Sequence, residues 1–212
     1  SGFSIATRDL SIRGAGDILG SEQAGFIDSI GIDMYLKMLN EEVKKLHHEP
    51  VLEEEQDDTK PFINVTTHID NNYVSDDELK IEIHQMINSI VDQTTFDNVR
   101  LELEDRFGRL DEELIIYMYE EWFEKLAHQL KISHVRQNKN SIEMVFSKDI
   151  VDIIDTEEVF MDAFSVSNMF RFISRGSNLV IVLDIIKLEK HPIYYLVELL
   201  NKLYLNLNNS LD

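Results

Sequence analysis

Met169-Phe-Arg-Phe-Ile-Ser-Arg-Gly-Ser-Asn-Leu-Val-Ile-Val-Leu-Asp-Ile185 decides the fold class. Two runs rich in β-branched and aromatic residues, 169–174 and 179–185, flank Arg175-Gly176-Ser177-Asn178. A Gly-Ser pair between such runs signals a hairpin, because glycine adopts the positive φ that a tight turn demands. The same reading holds for 132–137 and 141–147, joined by the turn-rich triplet Asn138-Lys139-Asn140. Strands joined by hairpins run antiparallel, so this region predicts a small antiparallel sheet rather than a βαβ array.

Around the hairpins the period is helical. Ser75 and Glu78 form a capping-box pair ahead of Leu79, Ile83, Met86, Ile87 and Ile90, an apolar stripe at helical spacing. A second helix, from about Phe96, carries Val99, Leu103 and Phe107 and stops at Gly108. The longest is expected over 111–131 with Leu114, Met118, Trp122, Leu126 and Leu130 inward. Residues 149–164 read as helix. Pro192 suits a first helical turn, and Ile193, Leu196, Leu200, Leu203 and Leu207 carry the last helix. Upstream, the alternation of Ile63, Val65, Thr67 and Ile69 predicts a half-buried strand over 62–69. The fold class is therefore α+β: a helix-loop-helix appendage followed by a helix-rich domain with a small, mainly antiparallel sheet. No repeat at a period of 20 to 50 residues is visible.

Charge divides the chain. The whole carries net charge -20, from 20 Lys plus Arg against 40 Asp plus Glu. Residues 1–48 hold five basic and seven acidic groups, 49–59 none and six, and 60–212 fifteen and 27. The run Glu49-Pro50-Val51-Leu52-Glu53-Glu54-Glu55-Gln56-Asp57-Asp58-Thr59 repels itself and has too few apolar groups to fold, which makes 49–60 an acidic linker. Negative charge over the remainder disfavours nonspecific attraction to DNA phosphates and leaves 61–212 to meet protein. The absence of cysteine excludes a disulfide scaffold and thiolate chemistry, and fits a reducing compartment. No apolar run reaches the ~18 residues of a membrane helix, so a soluble cytoplasmic protein without membrane contact is expected. No Gly-x-x-x-x-Gly-Lys-Ser/Thr run is present to cradle nucleotide phosphates.

The densest motif is Arg8-Asp-Leu-Ser-Ile-Arg-Gly-Ala-Gly-Asp-Ile-Leu-Gly-Ser-Glu-Gln-Ala-Gly25, with four glycines and two arginines in eighteen residues. Glycine at this density marks backbone that turns sharply or approaches another body closely. Phe3, Ala6 and Leu10 give a weak helix before it, stopped at Gly14. After it Ile32, Leu36, Leu39, Val43 and Leu46 form the stripe of a docked helix whose last turn carries Lys44 and Lys45. On spacing alone, the loop is either a coupling element or a surface connector in which Arg13 pairs with Asp9 or Asp17.

The spacing Arg13-Gly14-x-Gly16-x-x-x-Gly20-x-x-Gln23-x-Gly25 resembles the translocation motif of RecG-type branch-migration translocases and of the transcription-repair coupling factor (Mfd) family. The flanks Gly2-Phe-Ser-Ile-Ala-Thr-Arg-Asp-Leu10 and Ile30-Gly-Ile-Asp-Met-Tyr35 are similar to the second family, as is Leu101-Glu-Leu-Glu-Asp-Arg-Phe-Gly108. A long acidic α+β domain after the motif is also foreign to the branch-migration pattern. With Ser1 in place of an initiator Met, the chain reads as a carboxy-terminal fragment. Residues 1–48 are then the motif and its supporting helix, 49–60 the linker, and 61–212 a regulatory, autoinhibitory domain. The resemblance implies a parent ATP-dependent DNA translocase that displaces RNA polymerase stalled at lesions and recruits nucleotide excision repair. ATP and Mg would bind its upstream motor, while this chain holds no cofactor or metal and is not itself an enzyme.

The resemblance also implies site residues and partners. Arg13 and Gln23, with Arg8 and Glu22 as weaker members and Gly14, Gly16, Gly20 and Gly25 shaping the backbone, would couple nucleotide-driven lobe closure to a grip on duplex DNA. Arginine supplies a permanent forked charge and glutamine both donor and acceptor. Residues 61–212 would contact the amino-terminal excinuclease-B-like region, masking it from the excinuclease A subunit. The alternative is an acidic protein-interaction module unrelated to a motor.

Other features read as structural. The histidines at 47, 48, 68, 84, 128, 134 and 191 are scattered, and adjacent His47 and His48 on a helix face different directions. The carboxylates read as a solvated face. Tyr117, Tyr119, Trp122 and Phe123, like Phe170, Phe172, Tyr194 and Tyr195, read as core, with an aromatic patch open to a partner as the other reading.

Overall fold

The structure is a computed structural model that describes residues 68–210. The glycine-arginine motif, its supporting helix and the acidic linker lie outside the described residues. Those described fall into two compact units, one ending at Met118 and the other beginning at Tyr119.

The first unit is helical, with α1 at Asp77–Asn88, α2 at Gln93–Phe107 and the opening turns of α3, which spans Glu112–Gln129. The expected strand over 62–69 does not extend through His68 and Ile69, and its other residues lie outside the described region. Asp70 turns the chain at once: its carbonyl accepts from the Tyr73 and Val74 amides at 2.9 and 3.1 Å, and its carboxylate from the Asn72 amide at 2.7 Å. The cap of α1 is Asp76, one residue past the expected Ser75, and Oδ1 takes the Leu79 N–H at 3.0 Å. Helix α2 starts three residues before Phe96 because Asp92 and Thr95 form a reciprocal capping box. It ends where Gly108 adopts φ 87°. Ile83 and Ile87 of α1, Ile90 just after it, Phe96 and Leu103 of α2, and Leu114, Tyr117 and Met118 of α3 are all buried.

The second unit holds the sheet. After the closing turns of α3 come β1 (Ile132–Gln137), β2 (Ser141–Phe146), α4 (Lys148–Val151), α5 (Thr156–Val166), β3 (Phe170–Arg175), β4 (Asn178–Asp184) and α6 (Pro192–Ser210). Helix α3 stops at Gln129 rather than 131 because Lys131 takes a left-handed φ of 51°, reversing the chain into β1. At 18 residues it is shorter than α6, which has 19. The expected helix over 149–164 is interrupted: Asp155 adopts an extended backbone and caps α5, its Oδ1 accepting from the Glu157 and Glu158 amides at 3.0 and 3.4 Å.

All three strand pairings are antiparallel, in the order β1-β2-β4-β3. Each expected hairpin forms, and β2 against β4 joins them. In the first loop Asn138 Oδ1 accepts from the Asn140 and Ser141 amides at 2.8 and 2.9 Å. In the second, Arg175 pairs with Asn178 and leaves Gly176 at φ 61° in a two-residue loop. Ile142, Met144, Phe146, Ile181 and Leu183 are buried on one face of the sheet, and Val145, Val180 and Val182 on the other, with Ile173 packed against them.

A side chain at Gly176 would enter open space, so a substitution there meets only backbone strain. Gly176→Val should lower stability by roughly 1–2 kcal/mol, the cost of a left-handed β-branched residue, and Gly176→Asn by less. Urea unfolding of both variants checks the order; equal losses would contradict it.

Candidate functional surface

Every residue expected to carry coupling, Arg8, Arg13, Gly14, Gly16, Gly20, Glu22, Gln23 and Gly25, lies outside the described residues. Among the described residues no group of three His, Asp or Glu side chains is arranged to hold a metal ion. No described helix is long and apolar enough to cross a membrane. What the described region offers is surface, and its chemistry follows from how the charges and aromatics are placed.

The histidines of the described region have separate surroundings. His84 is buried, with Nδ1 2.8 Å from the Tyr117 hydroxyl, and His191 Nδ1 accepts the Ile193 N–H at 3.1 Å at the start of α6. The carboxylates are not all on a solvated face. Glu120 and Glu121 of α3 are buried, because this helix hides Met118, Trp122, Phe123, Leu126 and Ala127 over most of its circumference and takes its neighbours with it. Lys125 Nζ stands 3.8 Å from Glu121 Oε2, one turn along.

The aromatics of α3 are core. Tyr117, Trp122 and Phe123 are buried, and Tyr119 stacks on Trp122 at 6.0 Å between centroids and meets Tyr194 edge-on at 4.8 Å. Among the described residues the exposed aromatics are instead Phe160 and Phe164 of α5, next to exposed Met161. Sequence reasoning passed over them, although Thr156-Glu-Glu-Val-Phe-Met-Asp-Ala-Phe-Ser-Val166 holds more apolar residues than one helix face accommodates.

Ion pairs cover the valine face of the sheet. Arg171 donates to Asp184 through Nε at 2.7 Å and Nη2 at 2.9 Å, and Arg175 reaches Glu143 at 3.3 and 3.4 Å. Hydrogen bonding from Arg171, aided by its charge, holds the Asp184 carboxyl below the usual aspartate range. In the first unit Arg106 forms a similar fork on Glu82, at 2.7 and 3.1 Å, and depresses that carboxyl in the same way.

The family model described as the TRCF domain matches residues 63–155. A transcription-repair-coupling factor of Bacillus subtilis is 31% identical over 160 residues, and one of Staphylococcus epidermidis 35% over 166; each alignment covers 76% of this chain. A Borreliella burgdorferi protein of the same name is 33% identical over 159 residues. The chain spans 14% of the length of these relatives. A crystal structure of the C-terminal domain of transcription-repair coupling factor superimposes with a TM-score of 0.60 at 20% identity, covering 71% of this chain and 92% of that domain. The α+β architecture is thus shared with that domain.

The Asp184 geometry fixes a pH dependence. Its folded pKa is lowered, so its contribution to stability is present above the unfolded value of about 4 and is lost as pH falls through the folded value. Unfolding curves collected between neutral and strongly acidic pH should therefore fall less steeply for Asp184→Asn than for the native chain. Parallel curves would show that the fork contributes nothing.

Proposed function

The chain belongs to the transcription-repair coupling factor family, and we propose on that premise that it is the carboxy-terminal part of an ATP-dependent duplex-DNA translocase. The parent protein would displace RNA polymerase stalled at DNA lesions and recruit nucleotide excision repair. The observation that carries this reading is identity of 31 to 35% to three coupling factors over three quarters of the chain. The rival reading, an acidic interaction module unrelated to a motor, leaves that likeness without a cause.

Two tasks divide along the chain in this reading. Residues 1–48 couple ATP hydrolysis, performed with Mg in the upstream motor, to movement on DNA through Arg13 and Gln23. Residues 61–212 act on protein: they hold the amino-terminal excinuclease-B-like region in a masked state until the motor engages. Net charge supports the division, since 60–212 has twelve more acidic than basic groups and repels phosphate, whereas 1–48 is nearly balanced and carries the arginine-bearing loop. A domain that performs no chemistry influences function only through its differential affinity for two states of its partner.

Deleting residues 61–212 from the parent protein should raise affinity for the excinuclease A subunit, by roughly 5- to 150-fold if the coupling is of ordinary size. Titration measures it, and an unchanged affinity in a folded truncation would remove the masking role. Separately, Arg13→Ala or Gln23→Ala in the parent protein should retain nucleotide binding while losing most triplex displacement. Full displacement by both variants would sink the coupling role.

A further inference from the structure

We propose that the outer face of α5 is a docking surface for a protein helix whose apolar side chains are bordered by lysine or arginine. Helix α5 buries Val159 and Ala163 and turns Phe160, Met161 and Phe164 outward, at 40%, 73% and 56% exposure. These are not scattered apolar residues. The Phe160 ring stacks on Phe172 of β3, with centroids 4.0 Å apart and planes at 21°, and lies 5.8 Å from the Phe164 ring. Three rings thus form one strip from the sheet onto the helix. Met161 extends it, since residues three apart on a helix share a side and Phe164 is its neighbour. A contiguous apolar strip of this kind marks an interaction site, whereas a single exposed leucine does not. Methionine adds an adaptable, polarizable surface suited to a partner's side chains.

The charge at the amino-terminal end of the strip selects the occupant. Glu157, Phe160, Met161 and Phe164 stand at i, i+3, i+4 and i+7, so the exposed Glu157 carboxylate continues the stripe at its amino-terminal end. Glu158 and Asp155, both exposed, border the same end of the helix. A second copy of the chain would set these carboxylates against their own kind and bring two bodies of net charge -20 together. Anionic lipid headgroups meet the same repulsion. A basic border on an apolar face is the complement. The stripe from Glu157 to Phe164 runs about 10 Å along the helix axis, which matches two turns of a partner helix packed ridge into groove. This assignment is independent of the masking reading.

The test uses the 212-residue chain labelled at its methionine methyl groups, with Met161 assigned through Met161→Leu. The probes are a synthetic amphipathic helix, leucine on one face and lysine at its borders, and a scrambled peptide of the same composition. The patterned peptide should shift the Met161 methyl resonance saturably, and the scrambled one should not. Phe164→Asp and Glu157→Lys should each weaken the patterned peptide by about tenfold or more, while Glu189→Lys, an equal charge reversal outside the strip, should leave its affinity within about twofold. Circular dichroism confirms the fold of each variant. The proposal is overturned if both peptides act alike, if Glu157→Lys and Glu189→Lys have equal effects, or if sedimentation shows the chain dimerising in a manner that Met161→Asp abolishes.

Discussion

Strand β4 is the constraint on which the second unit depends. Val180, Ile181, Val182 and Leu183 are all fully buried, so neither face of this strand is open to water. That is why the run is continuously apolar where a half-exposed strand would alternate. Because side chains alternate across a sheet, a one-residue slip would exchange Val180 and Val182 with Ile181 and Leu183 and misplace both packed faces together. Pairing to β2 on one side and β3 on the other therefore locks in a single register. The register in turn sets the charges. Arg171 lies opposite Val182, two residues from Asp184, and this diagonal relation is within reach of a long side chain. The Arg175 and Glu143 pair reaches across β4, tying together the two strands that flank it.

A chain with twice as many acidic as basic groups must find uses for carboxylates that do not need a cation. Helix starts supply them. Asp76, Asp92, Asp111 and Asp155 each accept a backbone N–H from the first turn of α1, α2, α3 and α5, at 3.0, 2.8, 2.8 and 3.0 Å. Each satisfies a donor that the helix leaves without a partner and sits at the positive end of the helix dipole. Hydrogen bonds from Thr95 lower the Asp92 carboxyl pKa, a sign that the charged form is the one the fold selects. Part of the negative charge is thus structural, so acidity alone does not define a binding face. Where a carboxylate lies next to exposed rings, as Glu157 does, its surroundings differ from those of a cap.

What was legible in the sequence was local. The two hairpins were read correctly because Asn138-Lys139-Asn140 and Gly176-Ser177 turn by their own side-chain hydrogen bonds or glycine φ, which need no distant partner. Apolar stripes located the helices for the same reason. Boundaries were read less well where two caps compete: Asp76 stands beside Ser75, and Asp155 interrupts a stretch whose periodicity runs on past it. Least visible were facts of tertiary placement. Nothing local distinguishes Tyr117, Trp122 and Phe123 of α3, which are buried, from Phe160 and Phe164 of α5, which are not. The burial of Glu120 and Glu121 likewise depends on what covers α3. The motif around Arg13 and Gln23 was the most distinctive in the sequence, and its geometry lies outside the described residues.

A TM-score of 0.60 at 20% identity means that the architecture tolerates replacement of most side chains, as expected when a core requires apolar volume in a given pattern rather than particular residues. For α5 the pattern needs Asp155 to start the helix and Val159 and Ala163 to seat it. It does not need Met161 and Phe164 to be apolar, because charged or polar residues at those positions would serve the helix as well and leave less hydrocarbon in water. An apolar strip that packing does not require, and that exposure disfavours, is most simply explained by a surface that covers it for part of the protein's working cycle. The same reasoning does not extend to the aromatics of α3, whose burial already accounts for them.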